Sequence, residues 1–177
     1  MAIMSSNVPD GVASAFQAHD AYEATDGGYA LTTTTFETTV TATADGDSVQ
    51  YAVTVLVPTL DAATVEEIGD VLAESWRETL TRRLEEAPKA TRARLDLAAF
   101  SVENAGEQLR IEYAFTWSNP TKAVEIAKTF AEYVEGTYVE GIVPGYEYES
   151  PVSSLISEAS QAGEGGSGSS RTRTAVR

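Results

Sequence analysis

Residues 36–57 read FETTVTATADGDSVQYAVTVLV, and this stretch decides the fold. It predicts two β-strands, Phe36–Thr43 and Val49–Val57, joined by a turn at residues 44–48. In the second strand apolar side chains occupy every other position, which is the period of a strand with one buried face. Asp-Gly within the turn is a strong signal for a β-hairpin. The stretch therefore predicts an antiparallel hairpin with one face in the core.

Two amphipathic helices are predicted after this hairpin. The first spans Val65–Glu86, with Asp61 or Thr64 as its N-cap, and ends before Pro88. Its apolar stripe has spacings of three and four: Val65, Ile68, Leu72, Trp76, Leu80 and Leu84. The second helix, Thr121–Val139, follows Asn119-Pro120, since proline is harmless at the first helical position.

The remaining strands complete an antiparallel sheet. Arg92–Glu103 predicts an irregular strand with a bulge or bend near residues 98–99, and Leu109–Trp117 alternates cleanly. Tyr22–Thr25 and Tyr29–Thr32 predict a small hairpin, preceded by a short helix at Val8–Ala18 with Asn7 as its cap. We predict an α+β fold: an antiparallel five- to six-stranded sheet with two main helices packed on one face and a short N-terminal helix.

Composition divides the chain into one folded unit and two polar ends. We expect a disordered N-terminus at residues 1–6, a single α+β domain at residues 7–150 and a short helix at residues 151–162. Residues 163–177 are rich in glycine, serine and arginine and are predicted to be a disordered tail, because this composition cannot bury enough apolar surface to order itself.

Charge is the most informative property of the composition. The chain has 27 acidic and 12 basic residues, a net charge of −15, and no cysteine. Self-repulsion of this size opposes compaction in dilute buffer and is screened in molar salt. The composition resembles that of cytoplasmic proteins from salt-in haloarchaea. It argues against nucleic-acid binding, which depends on Lys and Arg. No apolar run of about 18 residues predicts a membrane span, so we expect a cytoplasmic protein.

No residue pattern typical of catalysis or of metal and cofactor binding occurs. His19, the only histidine, is interpreted as a polar residue near the end of the first helix, because no pattern supplies a dyad partner. The acids of the Val65–Glu86 helix are interpreted as a solvated face. The alternating aromatic residues Tyr113, Phe115 and Trp117 are interpreted as core. We therefore expect no cofactor, no metal and no enzymatic activity.

One surface of the predicted sheet is a candidate for partner contact. If the helices cover the face that carries Val53 and Tyr113, the opposite face is small, neutral and short of charge. It carries Thr39, Thr41, Thr43, Ala52, Thr54, Leu56, Ala114 and Thr116. It predicts contact with a protein partner, with a second copy in a homodimer, or with the C-terminal tail. The alternative is an ordinary threonine-covered face in contact with solvent.

The order of elements carries a resemblance to a known family. Together with Phe16, His19, Tyr22, the Asp26-Gly27-Gly28-Tyr29 turn and Phe36-Glu37, it resembles a haloarchaeal domain family of unknown function over residues 7–150. At the level of fold it also resembles the type III secretion chaperone class. That second resemblance implies acidic homodimers that bind partner proteins, although topology alone does not transfer function.

Two functions follow as expectations. The first is a non-catalytic cytoplasmic protein-binding domain of a halophile, adaptor-like or chaperone-like, that is able to form a homodimer. The second is a small-ligand-binding or enzymatic domain with a pocket between helix and sheet. A cavity lined by Tyr51, Tyr113 or Trp76, with an uncompensated polar group inside it, would favour the second function.

Overall fold

A six-stranded antiparallel sheet is the frame of the fold, in the order β1-β2-β3-β4-β6-β5. A computed structural model describes residues 10–160. The strands are β1 (Tyr22–Thr25), β2 (Gly28–Leu31), β3 (Glu37–Asp45), β4 (Ser48–Pro58), β5 (Ala99–Ala105) and β6 (Gln108–Trp117). The helices are α1 (Asp10–Ala18), α2 (Leu60–Ala63), α3 (Asp70–Leu84), α4 (Pro120–Glu140) and α5 (residues 152–160), with a 3₁₀ turn at Ala87–Ala90. The prediction of an α+β fold with an antiparallel sheet is confirmed.

β3 and β4 form the predicted hairpin, which lies at the centre of the sheet. Asp45 pairs with Ser48, so the turn contains only two residues and is shorter than the one expected. Gly46 adopts a φ of 62° in this turn, a conformation that glycine accepts without steric cost. Burial alternates along the whole of β4, because every second side chain faces the core.

The helices that contact the sheet do so on the face that carries the core. The ring of Tyr113 on β6 lies 5.0 Å from that of Phe130 on α4, and its hydroxyl donates to the carbonyl oxygen of Leu84, at the end of α3, over 2.6 Å. Phe16 of α1 contacts Tyr51 of β4, with ring centroids 6.5 Å apart. The helices α1, α3 and α4 therefore pack together on the apolar face of the sheet.

The predicted helix at Thr121–Val139 corresponds closely to α4. Asn119 caps it, because its side chain accepts a hydrogen bond from the backbone N–H of Lys122. Pro120 occupies the first turn, where its missing N–H leaves no hydrogen bond unmade. The helix continues through Gly136 and ends at Glu140.

The predicted helix at Val65–Glu86 is wrong in its first turn. The chain forms the short helix α2, leaves helical geometry, and starts α3 only at Asp70, with Gly69 as the N-cap in place of Asp61 or Thr64. The cause lies in a distant segment. Val65 N–H donates to the carbonyl of Glu147, and Thr64 forms a β-bridge with Tyr148. The backbone groups of Thr64 and Val65 therefore pair with residues 147–148 and not within a helix. Val65 is 54% exposed and does not belong to the apolar stripe.

Two other predicted boundaries differ from the structure. The strand expected at Arg92–Glu103 begins only at Ala99, so the shift of parity near residues 98–99 marks the start of β5 and not a bulge. The second strand of the small hairpin is Gly28–Leu31. The predictions for residues 1–6, Asn7 and residues 163–177 fall outside the described residues. Among residues 10–160, no helix has the length and apolarity that a membrane crossing requires.

Candidate functional site

The first candidate site is an uncharged region on the face of the sheet opposite the helices. We call it the neutral patch. It consists of three cross-strand rows: Thr39–Thr54, Thr41–Ala52–Ala114 and Thr43–Gln50–Thr116. Its side chains range from exposed at Thr43 to buried at Ala114, with the others half-buried. Because α1, α3 and α4 pack on the other face, this patch is the part of the sheet open to a partner.

Charged residues border the neutral patch, so the face predicted to be short of charge is not uniformly neutral. Leu56, one of the predicted contact residues, lies between Glu37 on β3 and Arg110 on β6. Glu112 lies directly beside Thr54. The predicted neutral face is therefore neutral only toward the turn between β3 and β4, and Leu56 lies outside that region.

The border contains one ion pair. Arg110 on β6 donates to Glu103 on β5 over 2.8 Å. Both side chains are at least half exposed, so this pair adds little to stability. It fixes the position of a positive charge next to the acids of the border.

The second candidate site is a cleft of about 200 Å³ between α3 and the C-terminal end of α4. Its floor is apolar and includes Leu72, Leu80 and Val143. Trp76 is part of the same floor and is 7% exposed. Its ring meets that of Tyr138 edge-on at 5.6 Å, which holds the indole in place.

Polar groups surround this floor. Ser75 and Thr79 are exposed residues one helical turn apart on α3, and Thr137 is a buried residue of α4. Arg83 also lines the cleft, where its guanidinium pairs with Glu140. The indole Nε1 of Trp76 is buried with no hydrogen-bond partner among the described residues. The cleft therefore has an apolar floor and a rim of hydrogen-bonding groups that includes a cation.

His19 has both ring nitrogens engaged. The N–H of Ala21 donates to Nδ1 over 3.2 Å, which places the ring proton on Nε2. Nε2 in turn lies 2.7 Å from a carboxylate oxygen of Glu125 on α4. The ring thus connects the end of α1 to α4.

Glu135 is a half-buried acid on α4 that also holds the chain next to β3. Its carboxylate accepts the backbone N–H of Phe36 over 2.7 Å. Burial raises the pKa of the Glu135 carboxyl above its ordinary value of 4.5; hydrogen bonds from Phe36 and Thr35 oppose the rise, and the charges of Glu158 and Glu132 add to it. Glu135 therefore links stability to pH.

The structure brings the predicted contact residues onto one face but leaves the acids of α3 scattered. Among residues 10–160 no group of three or more His, Asp or Glu side chains is placed to hold a metal ion. Of the residues of the cleft, only Trp76 was named in advance, as one of three residues that could line a cavity. The only sequence signal for a polar rim was the pair Ser75 and Thr79, which are four residues apart and lie on either side of Trp76 in the sequence. The opposite wall could not be inferred from this region, because it comes from residues 137–143.

The described residues form an α+β domain with an open sheet face and a small cleft between α3 and α4. The chain belongs to the family described as a family of unknown function (DUF5813), whose family model matches residues 17–158. No curated protein and no solved structure matches the chain. The predicted resemblance to a family of unknown function is thus confirmed. The haloarchaeal origin and the likeness to secretion chaperones stay predictions.

Proposed function

We propose that this chain is a non-catalytic protein-binding domain that associates with a second copy of itself through the neutral patch. The observation that supports the proposal is the position of the patch. It lies on the open face of the sheet and contains only Thr, Ala and Gln side chains, on a protein with a net charge of −15. Contact there places no ionised group of the patch in a dry interface, and such burial is costly.

The neutral patch would form the centre of a dimer interface. It spans three strands about 4.8 Å apart over about five residues of each, which gives an area of roughly 240 Å². A stable interface buries about 800 Å² on each partner. An isologous pair of sheets, in which both copies use the same surface, would therefore also extend over the charged border around the patch.

Charge predicts how this association depends on salt. Two chains of charge −15 repel each other in dilute buffer, and concentrated salt screens that repulsion. We infer that the dimer belongs to a concentrated ionic environment, such as the interior of a halophile. An adaptor-like or chaperone-like role would present the same patch to a different protein.

Light scattering of the full chain in about 2 M KCl tests the proposal, since the Debye length there is only about 3 Å or less. We expect twice the mass of one chain for the wild type. Thr41→Arg and Thr54→Arg, both within the patch, should give the mass of one chain with an unchanged circular dichroism spectrum. Val71→Arg is the matched control, because it adds the same charge at a position that is 85% exposed on α3.

Two results would overturn the proposal. One is a wild-type protein that stays monomeric at concentrations of about 100 μM, well above the Kd of a specific dimer. The other is a dimer that both arginine variants leave intact. A monomer that nevertheless binds another protein, and loses that binding with Thr41→Arg, would assign the patch to a different occupant and also overturn self-association.

A second candidate function is the binding of a small ligand. The observation that favours it is the cleft lined by Trp76, whose indole N–H is buried without a partner. The cleft lies between two helices, α3 and α4, and not between a helix and the sheet as expected. Thermal-shift screening in concentrated salt tests this function, because a ligand that binds the native state raises its melting temperature.

A further inference from the structure

The cleft between α3 and α4 combines an apolar floor with a cation at its edge. Trp76 and Leu80 supply flat and aliphatic surface, and Ser75 and Thr79 supply exposed hydroxyl groups. Among the described residues, Arg83 is the one charged residue in the lining. This distribution favours a ligand with an apolar body and one anionic end.

We propose that the cleft binds a small amphipathic carboxylate, with its apolar body against Trp76 and its carboxylate at Arg83. This inference rests on the second candidate function and names its ligand class. A guanidinium presents a planar pair of N–H donors that matches a carboxylate better than any neutral group. The hydroxyls of Ser75 and Thr79 lie in the same lining and can donate to the remaining carboxylate lone pairs.

The existing partner of Arg83 does not prevent this. Its guanidinium pairs with Glu140, but the two side chains are 41% and 66% exposed. Exposed pairs of this kind contribute between zero and about 1 kcal/mol. Because the pair is this weak, a ligand carboxylate can compete with Glu140 for the guanidinium of Arg83.

The volume of the cleft limits the apolar body. An enclosed apolar cavity of about 150 Å³ accommodates one benzene ring. The cleft measures about 200 Å³, which is enough for one ring or a branched chain of similar size with its carboxylate. Benzoate is therefore a suitable probe, and benzamide is its neutral counterpart of nearly the same shape.

Tryptophan fluorescence reports binding directly. The chain contains two tryptophans, and in a Trp117→Phe background the emission comes from Trp76 on the floor of the cleft. In about 1 M KCl, where long-range repulsion of the anion is screened, we expect benzoate to change this emission with saturation and a Kd in the millimolar range. Benzamide should bind at least about tenfold more weakly.

Three variants in the same background test the role of Arg83. Arg83→Gln should weaken benzoate binding by about tenfold or more. Arg82→Gln removes the same charge from an exposed neighbour outside the lining and should leave the Kd unchanged. Glu140→Gln frees the guanidinium and should tighten binding. The spectrum of each variant in circular dichroism confirms that it is folded.

The outcomes separate the ligand class from the site. Equal binding of benzoate and benzamide, or equal effects of Arg82→Gln and Arg83→Gln, would overturn the carboxylate and leave an apolar ligand site in place. No change in Trp76 emission with either probe would overturn the inference. A thermal-shift screen without any stabilising compound would overturn ligand binding at the cleft altogether.

Discussion

At the scale of single residues, three buried tyrosine hydroxyls donate a hydrogen bond to a backbone carbonyl, and a fourth makes no hydrogen bond among the described residues. The hydroxyls of Tyr22, Tyr113 and Tyr138 donate to the backbone carbonyls of Val124, Leu84 and Pro58. The Tyr51 hydroxyl is buried with no partner among the described residues. Burial raises the pKa of Tyr51 to about 12, so the ring stays neutral at physiological pH. We therefore expect these four hydroxyl groups to contribute unequally to stability.

We expect Tyr51→Phe to raise the free energy of unfolding by about 1 kcal/mol, because it removes a buried hydroxyl that makes no hydrogen bond. Tyr113→Phe is the matched control and should lower it by about 1 kcal/mol, since it deletes the bond to Leu84. Denaturant unfolding in concentrated KCl measures both. Equal losses for the two variants would show that Tyr51 has a partner, such as bound water.

Glu135 makes stability depend on pH. Its pKa is raised on folding, so its contribution to stability is greatest below its ordinary value of 4.5 and is lost as the pH rises through the higher folded value. Glu135→Gln removes this loss and keeps an oxygen to accept the Phe36 N–H. We expect the melting temperature of the variant, relative to wild type, to increase with pH across this range.

Glu135→Ala is the control for this prediction, because it removes both the charge and the acceptor. It should be less stable than Glu135→Gln at every pH, since the N–H of Phe36 loses its acceptor. A constant difference between Glu135→Gln and wild type from acidic to neutral pH would contradict the pKa rise.

At the scale of elements, side-chain patterns predicted what is local. Alternating apolar residues predicted β4 and β6, and Asn119-Pro120 predicted the start of α4. These predictions succeeded because each feature depends on residues that are close in sequence. The start of α3 was not predictable, since it depends on Val65 bonding to Glu147. The position of the cleft between two helices was not predictable for the same reason, although Trp76 was expected as a possible lining residue. The walls of the cleft come from residues 72–83 and 137–143, and no periodic pattern indicates which helices lie side by side.

Gly28 allows β2 to approach β3. Its φ is 147°, and an added Cβ would lie 2.6 Å from the carbonyl oxygen of Val40. We expect Gly28→Ala to lower the free energy of unfolding by about 2 kcal/mol, because backbone must move to relieve the contact. Gly27→Ala is the control, since nothing lies within 4 Å of its added Cβ. Thermal unfolding of both variants measures the difference, and equal effects would contradict it.

At Gly136 in α4 we expect substitution by alanine to have the opposite effect on stability. An added Cβ there meets nothing within 4 Å, and the position is helical and exposed. Gly136→Ala should raise the free energy of unfolding by about 1 kcal/mol, because alanine loses less backbone freedom on entering a helix. Denaturant unfolding checks this, and a loss of stability would mean that the helix needs glycine for another contact.

At the scale of the whole molecule, charge and core are separated. The core extends from Val12 to Leu155 through the sheet and its helices, while most of the 27 acids lie outside it. Because the acids outnumber the 12 basic residues, repulsion acts over the whole surface. The sequence predicts this electrostatic repulsion fully, since the net charge depends on composition and not on contacts.

We expect the melting temperature to rise by roughly 10 °C between about 0.1 M and 2 M KCl, equivalent to about 3–5 kcal/mol for a chain of this length. The reason is that ions screen the repulsion of a chain with charge −15. Differential scanning calorimetry measures the rise. Glycine betaine at equal osmolality is the control, because a zwitterion does not screen charge. Full stability in dilute buffer would contradict the expectation.

The position of β4 has a consequence for the order of folding. It meets β3 across a two-residue turn, yet its other neighbour is β6, where Pro58 pairs with Gln108. Bringing β6 to β4 costs the entropy of closing the long loop that contains α3, whereas the hairpin closes locally. We therefore expect the hairpin to form early, and the pairing of β6 with β4 to limit the rate of folding.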